Sequence, residues 1–443
     1  MLSKKDNEIL CRVGPGTPMG NLLRQYWMPA FISSELEADG WPRRIRLLGE
    51  DLIAYRDTQG RAGVVDENCP HRGSSMIFAR NEEGGLRCAY HGWKYDCTGA
   101  CVDMPSEGEQ SNFRDKVRIK AYPTQERNGI VWLYMGPRKA PPPLPDIELN
   151  LDGGSKSEGI PFKYVRQCNW AQALEGDIDS VHLNFLHTRL DQRDNLTLGD
   201  SNPQFHVVPT KYGHYFGVRR TVSEDKYYWR INQYAMPWYT AVTGPFSKVW
   251  MPIDDYNTLI MEWTPSRPAG MPRDYDDLAN MDTGRQPWGY KPDNMMIPWG
   301  NWRLKADVDN EWLRDRAQEK HHLFLGIYSN PLQDSAVQVT MGAIYDRTRE
   351  YLGTTDKAII AFRRIMIQAA KAFRDKGELP PTVDEPTLYR VRGFAAILPK
   401  DADWIETSED WRKAFSAGVP EEYAYNFRRG RAGAPAAGAP SGE

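Results

Sequence analysis

The chain has 443 residues, of which 40% are hydrophobic and 26% charged, with a net charge of -3 from 56 basic and 59 acidic side chains. This length accommodates two or three domains, and the composition is typical of a globular protein. The lack of a basic excess argues against nucleic acids and anionic membrane surfaces as partners. No segment has the pattern of a secretion signal or a membrane span, so we expect a cytoplasmic protein.

The first third of the chain predicts a short helical segment followed by an all-β domain. In residues 1–26, two short helices are separated by a Gly-Pro-Gly turn. Residues 27–145 alternate short strand-like runs with turn residues. The Pro-rich run at 136–145, followed by a Gly-Gly-Ser sequence, marks the boundary to a second domain at 146–429.

Two short motifs in the β domain predict an inorganic centre. Cys69-Pro-His71 and Cys88-Ala-Tyr-His91 place one cysteine and one histidine in each of two loops, and a glycine follows each pair. Zinc accepts two thiolates and two imidazoles. However, one cysteine and one histidine per loop is the pattern of a Rieske [2Fe–2S] cluster, in which the cysteines hold one iron and the histidines the other. The spacing therefore favours the cluster over zinc, and the remaining cysteines are expected to be packing residues: Cys11, Cys97, Cys101 and Cys168.

A second candidate metal site lies in the stretch N-W-A-Q-A-L-E-G-D-I-D-S-V-H-L-N-F-L-H at residues 169–187. In a helix, Glu175, Asp179 and His182 share one face. His187 follows five residues after His182, about 140° around an ideal helix, so one metal ion can bind both imidazoles only if the helix ends or bulges. We therefore predict a break between the two histidines. Taken alone, the stretch is as compatible with a structural helix as with a metal site.

The rest of the second domain predicts a sheet, two helices and two irregular segments. Strand-like runs that predict one curved antiparallel sheet lie at residues 212–222, 227–236, 247–251 and 258–263. Helical patterns follow at 333–352 and 354–376. Residues 265–310 predict a surface excursion or lid, and 430–443 a disordered tail. The fold class is therefore α+β, with an all-β domain ahead of a sheet packed on helices.

These motifs, together with Gln333-Asp334-Ser-Ala-Val-Gln, resemble the Rieske non-haem iron oxygenases, in particular the terminal oxygenase α subunits of the phthalate dioxygenase group. The resemblance covers nearly the whole chain. It implies a Rieske domain and a catalytic domain with a helix-grip fold, assembled as a trimer or as paired trimers. It also implies two cofactors, a [2Fe–2S] cluster held by the four loop residues and a mononuclear Fe(II).

The resemblance assigns roles to individual residues. His182, His187 and Asp334 match the facial triad that binds Fe(II), which leaves adjacent iron positions free for O2 activation beside a substrate. Asp179 matches the acid that links His182 to the cluster ligand His91 of a neighbouring subunit, so that electrons cross a subunit interface. Glu175 is expected near the iron with its role left open, and a contact with the substrate is one candidate role. Competing third ligands are Asp346 and Glu350, whereas the other histidines are expected to be structural or on the surface: His206, His214, His321 and His322.

The resemblance implies a terminal oxygenase that uses O2 and electrons from NAD(P)H. A separate flavin or iron–sulfur reductase must deliver them, directly or through a ferredoxin, because the chain has no Gly-rich dinucleotide loop and no plant-type ferredoxin cysteine cluster. The expected reaction is ring dihydroxylation of a phthalate- or benzoate-like aromatic carboxylate. The alternatives are O-demethylation or monohydroxylation of a methoxylated aromatic acid, and a non-catalytic electron-transfer or ligand-binding protein with a Rieske cluster only.

A carboxylate substrate favours an arginine fork in an apolar pocket. Three arginines on predicted strands of the second domain are candidates: Arg219, Arg220 and Arg230. Because side chains alternate along a strand, only one of Arg219 and Arg220 can point inward.

Overall fold

The computed structural model describes residues 1–108, 110–151, 162–188, 190, 200–242, 244–246, 248–262, 289–297 and 299–424. The predicted tail at 430–443, the Gly-Gly-Ser linker and residues 265–288 of the predicted excursion lie outside these residues. Among the described residues there is no helix with the length and apolar character required to cross a membrane.

The N-terminal segment forms the two predicted helices, α1 (Lys4–Cys11) and α2 (Pro18–Leu23). Each is capped by a side-chain hydroxyl: Ser3 Oγ accepts from the Asp6 amide at 3.0 Å, and Thr17 Oγ1 from the Gly20 amide at 3.1 Å. Both helices pack on a long C-terminal helix of the second domain. The first residues of the chain therefore belong to the hydrophobic core of the second domain as well as to the first.

The β domain is built from three small antiparallel sheets. Its strands are β1 (Trp27–Ile32), β2 (Arg43–Leu47), β3 (Glu50–Arg56), β4 (Ala62–Asp66), β5 (Arg80–Glu82), β6 (Gly85–Arg87), β7 (Lys94–Tyr95), β8 (Cys101–Asp103), β9 (Ala121–Tyr122), β10 (Thr124–Arg127) and β11 (Ile130–Tyr134). The sheet orders are β1-β11-β10, β2-β3-β4-β9 and β5-β6-β7-β8. The two cysteine–histidine motifs occupy the β4–β5 and β6–β7 loops, so the strands hold them at one end of the domain.

The second domain contains one large antiparallel sheet, as predicted. Its strands are β12 (Phe162–Arg166), β13 (Gln204–Pro209), β14 (Gly213–Thr221), β15 (Lys226–Ala235), β16 (Tyr239–Ala241), β17 (Gly244–Pro245), β18 (Lys248–Pro252), β19 (Thr258–Glu262) and β20 (Arg392–Pro399). The order is β12-β19-β18-β16-β15-β14-β13, and β20 pairs with β15 and β17. In the part of this domain that the structure describes, the α-helices are α3 (Trp170–Asp177), α4 (Gln318–His321), α5 (Asn330–Val339), α6 (Lys357–Lys376) and α7 (Trp404–Thr407). Helix α6 ends at the predicted Gly377, which has φ +71°.

Two predicted helices are shorter than expected. Helix α3 ends at Asp177, earlier than expected, and a single 3-10 turn, His182–Asn184, follows it. Because this turn ends at Asn184, the backbone is also broken between the two histidines, as predicted. The cause of the early end of α3 is Asp179, whose Oδ1 accepts the Val181 amide at 2.8 Å and replaces the helical hydrogen bond there. The helix predicted over 333–352 ends at Val339, because the chain turns at Gly342, which has φ +96°.

The described end of the predicted excursion packs on the β domain. Trp302 Nε1 donates to Glu35 Oε1 at 2.7 Å, and the Trp302 ring lies 3.8 Å from the Lys163 Nζ. Asn301 is only 4% exposed. Residues 299–304 therefore form part of the contact between the two domains and not a free lid.

Candidate metal centres and substrate pocket

The first candidate centre consists of two loops with the same backbone geometry. The Gly73 amide donates to the Cys69 carbonyl at 2.9 Å, and the Gly92 amide donates to the Cys88 carbonyl at 3.0 Å. Both glycines have φ between +76° and +77°, a conformation that costs an L-residue energy. The matching turns present one cysteine and one histidine each from opposite sides of a common space.

The side chains in these loops fit a group held by two sulfurs and two imidazoles. Cys69 and Cys88 are 2% and 3% exposed, and the rings of His71 and His91 lie 4.4 Å apart. Trp93 stacks on His71 at 4.2 Å, and the buried His71 Nδ1 has no hydrogen-bond partner among the described residues. Burial raises the pKa of the Cys69 thiol, a cost that metal coordination of the thiolate removes. A buried unsatisfied imidazole nitrogen beside two buried thiols is the donor set of a Rieske cluster.

In the second candidate centre three ligand atoms converge from α5 and the loop after α3. His182 Nε2 lies 3.1 Å from His187 Nε2, and Asp334 Oδ1 lies 3.2 Å from His187 Nε2 and 3.8 Å from His182 Nε2. Two imidazoles and one carboxylate in this arrangement match the facial triad of non-haem iron sites. Burial alone would raise the pKa of the Asp334 carboxyl, but its contact with His187 and the neighbouring basic groups lower it to about 2.

Each histidine of this centre is held through its other ring nitrogen. His182 Nδ1 lies 3.2 Å from Asp179 Oδ2, and His187 Nδ1 lies 2.6 Å from Gln333 Oε1. Burial lowers the pKa of His182, but the hydrogen bond to Asp179 and the charge of Asp334 outweigh burial and raise it. These contacts place the protons on the Nδ1 atoms and leave both Nε2 atoms free to bind a metal ion.

Comparisons with known proteins point to one family. The Rieske [2Fe-2S] domain family matches residues 26–123, and the family described as LigXa C-terminal domain like matches residues 133–424. The chain is 39% identical to the 3-chlorobenzoate-3,4-dioxygenase oxygenase subunit of Comamonas testosteroni, over 93% of this chain and 99% of that protein. The chain belongs to the Rieske oxygenases.

Other relatives of this Rieske oxygenase are named for different reactions. It is 38% identical to the phthalate 4,5-dioxygenase oxygenase subunit of Pseudomonas putida, over 91% of this chain and 94% of that one. It is also 34% identical to the 5,5'-dehydrodivanillate O-demethylase oxygenase subunit of a Sphingobium species, over 95% of each. The solved structure of dicamba monooxygenase bound to dicamba shares the fold, with a TM-score of 0.52 over 80% of this chain and all of that chain at 14% identity. The predicted family, cofactors and terminal oxygenase role are thus confirmed.

The loop that carries the histidines of this Rieske oxygenase is fixed by Arg220. The guanidinium is fully buried and donates to the Ser180 carbonyl at 2.8 Å and to Asn184 Oδ1 at 3.1 Å. Because α3 has already ended, these bonds replace the helical ones that would otherwise order the loop. Arg220 therefore points inward, as strand alternation allows, but it acts on the loop and does not line the pocket. Arg219 points to the other face, where its guanidinium lies 4.4 Å from the Tyr227 ring.

A pocket of about 120 Å³ opens beside the triad of this Rieske oxygenase. Its lining includes His182, His187, Asp334, Asp177, Ile178, Asp179, Leu183, Arg230, Asn232, Val242, Lys248, Asn330 and Pro331. Of the three candidate arginines, Arg230 alone is in this set. Lys248 Nζ is paired with Asp177 Oδ1 at 2.7 Å, whereas Arg230 has no acidic partner among the described residues. Among the described residues, the pocket thus combines the three metal-binding side chains, apolar walls and an arginine without a paired carboxylate.

Glu175 does not stand near the triad, contrary to the expectation. Its carboxylate is buried, 8% exposed, and binds Arg363 Nε at 2.8 Å and Arg347 Nη2 at 3.1 Å. It faces away because α3 ends at Asp177, so the helical register that would align Glu175 with His182 is lost. The prediction of Glu175 as a substrate contact is therefore wrong.

The competing third ligands also lie elsewhere. Asp346 is exposed and accepts from Thr348, while Glu350 is ion-paired with Arg363. His214 is fully buried, which lowers its pKa to about 3, so it is structural as expected. His206 is exposed, and its ring lies 5.4 Å from the Trp229 ring. No sequence pattern singled out Gln333, Asn232 or Lys248, although Gln333 is next to Asp334 and Asn232 lies on the same strand face as Arg230.

Proposed function

We propose that this terminal oxygenase hydroxylates an aromatic carboxylate, with Cys69, His71, Cys88 and His91 holding the [2Fe–2S] cluster and His182, His187 and Asp334 holding the iron. The proposal is carried by the three iron-binding side chains, which meet at a pocket that contains Arg230, an arginine with no acidic partner among the described residues. The loaded centres supply the stepwise electrons and the O2 activation.

The residues around the centres prepare the site for that chemistry. Gln333 and Asp179 hold the imidazoles with their Nε2 atoms turned inward. Arg220 keeps the histidine loop rigid. Ile178, Leu183 and Val242 provide apolar walls for an aromatic ring, and Arg230 offers a planar fork for a carboxylate.

The reaction that this proposal favours is cis-dihydroxylation. An arene, O2, NADH and a proton give a cis-dihydrodiol and NAD⁺, so both oxygen atoms enter the product. Two relatives named as dioxygenases, for 3-chlorobenzoate and for phthalate, support this reaction. O-demethylation is the second candidate, supported by the relative named as an O-demethylase: an aryl methyl ether, O2, NADH and a proton give a phenol, formaldehyde, water and NAD⁺.

The partners follow from the same chemistry. A separate reductase must take electrons from NAD(P)H and pass them to the cluster, directly or through a ferredoxin. Because NAD(P)H is an intracellular reductant, the cytoplasm is the compartment in which this oxygenase would work. We further infer a homotrimer or paired trimers, in which Asp179 passes electrons from the cluster of a neighbouring subunit to His182.

The deciding experiment incubates the iron-loaded protein with a reductase, NADH, O2 and a panel of benzoates, phthalates and methoxybenzoates. A cis-diol product indicates dioxygenation, and formaldehyde release indicates demethylation. Iron analysis is expected to give about three irons per chain, two in the cluster and one in the triad. About two irons per chain, with no product from any aromatic acid, would instead support the electron-transfer or ligand-binding alternative.

A further inference from the structure

Two polar residues of strand β15 line the pocket from one face of the sheet. Arg230 and Asn232 are two residues apart, so their side chains point to the same side. The intervening Ile231 packs on the opposite face, against Trp229 and Phe394 among others. Strand β15 therefore places the Arg230 guanidinium and the Asn232 amide side by side in the lining of the pocket.

Both side chains have polar atoms without partners. Arg230 Nε is buried and has no hydrogen-bond acceptor among the described residues, and no carboxylate there lies within ion-pair distance of the guanidinium. Asn232 is 3% exposed, and its buried Oδ1 receives no hydrogen bond from any residue that the structure describes. A buried donor and a buried acceptor that lack partners are unfavourable, and a ligand that satisfies both removes that penalty.

The other charged groups of the pocket cannot take this role. Lys248 is neutralised by Asp177, which also accepts from Thr240 Oγ1 at 2.5 Å. Asp179 and Asp334 hold histidines. A ligand that suits these two side chains of β15 therefore supplies an anion to Arg230 and a hydrogen-bond donor to Asn232.

We propose that Arg230 and Asn232 form a two-point recognition site for aromatic carboxylates that also carry a hydroxyl or amino group. Arg230 binds the carboxylate, and Asn232 Oδ1 accepts a hydrogen bond from the second substituent. This assignment rests on the proposed function, because it places the ring against the apolar walls beside the triad. It adds a requirement that the proposed function does not contain, namely a donor on the ring.

Binding of matched ligands to the iron-loaded oxygenase tests this site. The ligands are benzoate, 3- and 4-hydroxybenzoate, the corresponding methoxybenzoates and phenol, and the measurement is the Kd by calorimetry without O2. We expect the wild type to bind at least one hydroxybenzoate about tenfold more tightly than benzoate and its methoxy analogue. A methoxybenzoate that binds more tightly than both hydroxybenzoates would overturn the role of Asn232 Oδ1 as an acceptor.

Variants separate the two contacts. Asn232→Leu should abolish the preference for the hydroxybenzoate while leaving the Kd of benzoate within about twofold. Arg230→Gln should weaken all carboxylates about tenfold or more and leave phenol unchanged, with Arg230→Lys intermediate. Arg219→Gln, on the opposite face of the sheet, is the matched control and should leave the Kd of every ligand unchanged. Iron content and the cluster spectrum show whether each variant is folded.

The outcomes also separate this site from the proposed function. If the wild type converts aromatic acids but Arg230→Gln binds them as tightly as before, the two-point site is wrong and the proposed function stands. If the wild type converts neutral aromatics and no acid, the proposed substrate class fails and the site fails with it. Product analysis on the same ligand panel distinguishes these two results.

Discussion

At the scale of single residues, the iron site depends on which nitrogen of each histidine carries the proton. Gln333 Nε2 donates to the Ile327 carbonyl at 2.7 Å, which fixes the orientation of the amide. Gln333 Oε1 then faces His187 Nδ1 and can only accept, so His187 carries its proton on Nδ1. The lone pair of Nε2 is thereby directed at the triad.

Gln333→Leu should therefore weaken iron binding without unfolding the protein. The variant loses the acceptor that orients His187, and such contacts contribute about 10–100-fold to metal affinity. Gln333→Glu keeps an acceptor at the same place and should retain most of the iron. Iron per chain after dialysis against a graded chelator is the measurement, with the cluster spectrum as the control for folding. Equal iron retention in both variants would contradict the orienting role.

Asp179→Asn should leave both centres loaded and reduce turnover. The carboxylate lies 3.2 Å from His182 Nδ1 and its side chain remains 26% exposed, so it can contact a second group. We expect product formation to fall about tenfold or more with unchanged iron and cluster content. Asp200→Asn, which alters a carboxylate that accepts from the Thr221 amide outside the pocket, is the matched control. Near-normal turnover in Asp179→Asn would rule out the bridging role.

At the scale of elements, α3 is anchored by an ionic network far from the triad. Arg363 of α6 and Arg347 both bind Glu175, and Arg347 Nη1 also donates to Asn7 Oδ1 of α1 at 3.0 Å. Helices from both ends of the chain are thus tied to the helix that precedes the histidine loop. The network fixes the position of that loop although it contacts no iron ligand.

Removing Glu175 should cost more stability at neutral pH than in acid. Burial raises the pKa of its carboxyl, but Arg347 and Arg363 outweigh burial and lower it below the ordinary 4.5. The stabilisation is therefore complete above about pH 4.5 and is lost as pH falls through the lowered folded-state pKa. Glu175→Gln should cost about 3–5 kcal/mol at pH 7, and its deficit relative to the wild type should shrink in acid.

Denaturant unfolding at several pH values measures this deficit. The matched control is Glu8→Gln, which breaks the exposed pair of Glu8 with Arg12 and should cost about 0.5 kcal/mol or less at pH 7. A Glu175→Gln deficit as small as that of the control, or one that stays constant into acid, would show that the buried network does not stabilise α3.

The same elements show what sequence patterns could predict. The two loops of the cluster could be predicted because their four ligand residues and two turn glycines lie close together in the sequence. Strand alternation correctly allowed only one of Arg219 and Arg220 to point inward, but it could not say which one. It also could not distinguish a residue that holds a loop from one that contacts substrate. Glu175 was misplaced because helical spacing was extended past Asp177, where an Asp179 side chain competes with the helix. Contacts with residues distant in the sequence, Ser180 for Arg220 and Arg347 for Glu175, determine these roles.

At the scale of the whole molecule, both centres reach the surface. His91 is only half-buried, and the adjoining Tyr90 is 55% exposed with the Arg72 guanidinium 5.4 Å from its ring. On the catalytic domain, Asp179 is partly exposed beside His182. His91 of one chain and Asp179 of a neighbouring chain are therefore both accessible for a contact between subunits. Electron transfer between subunits requires this arrangement.

Complementation between two inactive chains tests that arrangement. Cys88→Ser removes the cluster but keeps the triad, and Asp334→Ala removes the triad but keeps the cluster. If electrons pass between subunits, a chain with an intact triad is active when the neighbour that donates to it has an intact cluster. In a random 1:1 mixture each condition holds about half of the time, so cyclic trimers regain about a quarter of the wild-type active sites. Each variant alone should stay inactive, and native mass spectrometry establishes that mixed oligomers have formed. No recovered turnover in confirmed mixed oligomers would mean that each chain reduces its own iron, since only a chain with both centres intact could then work.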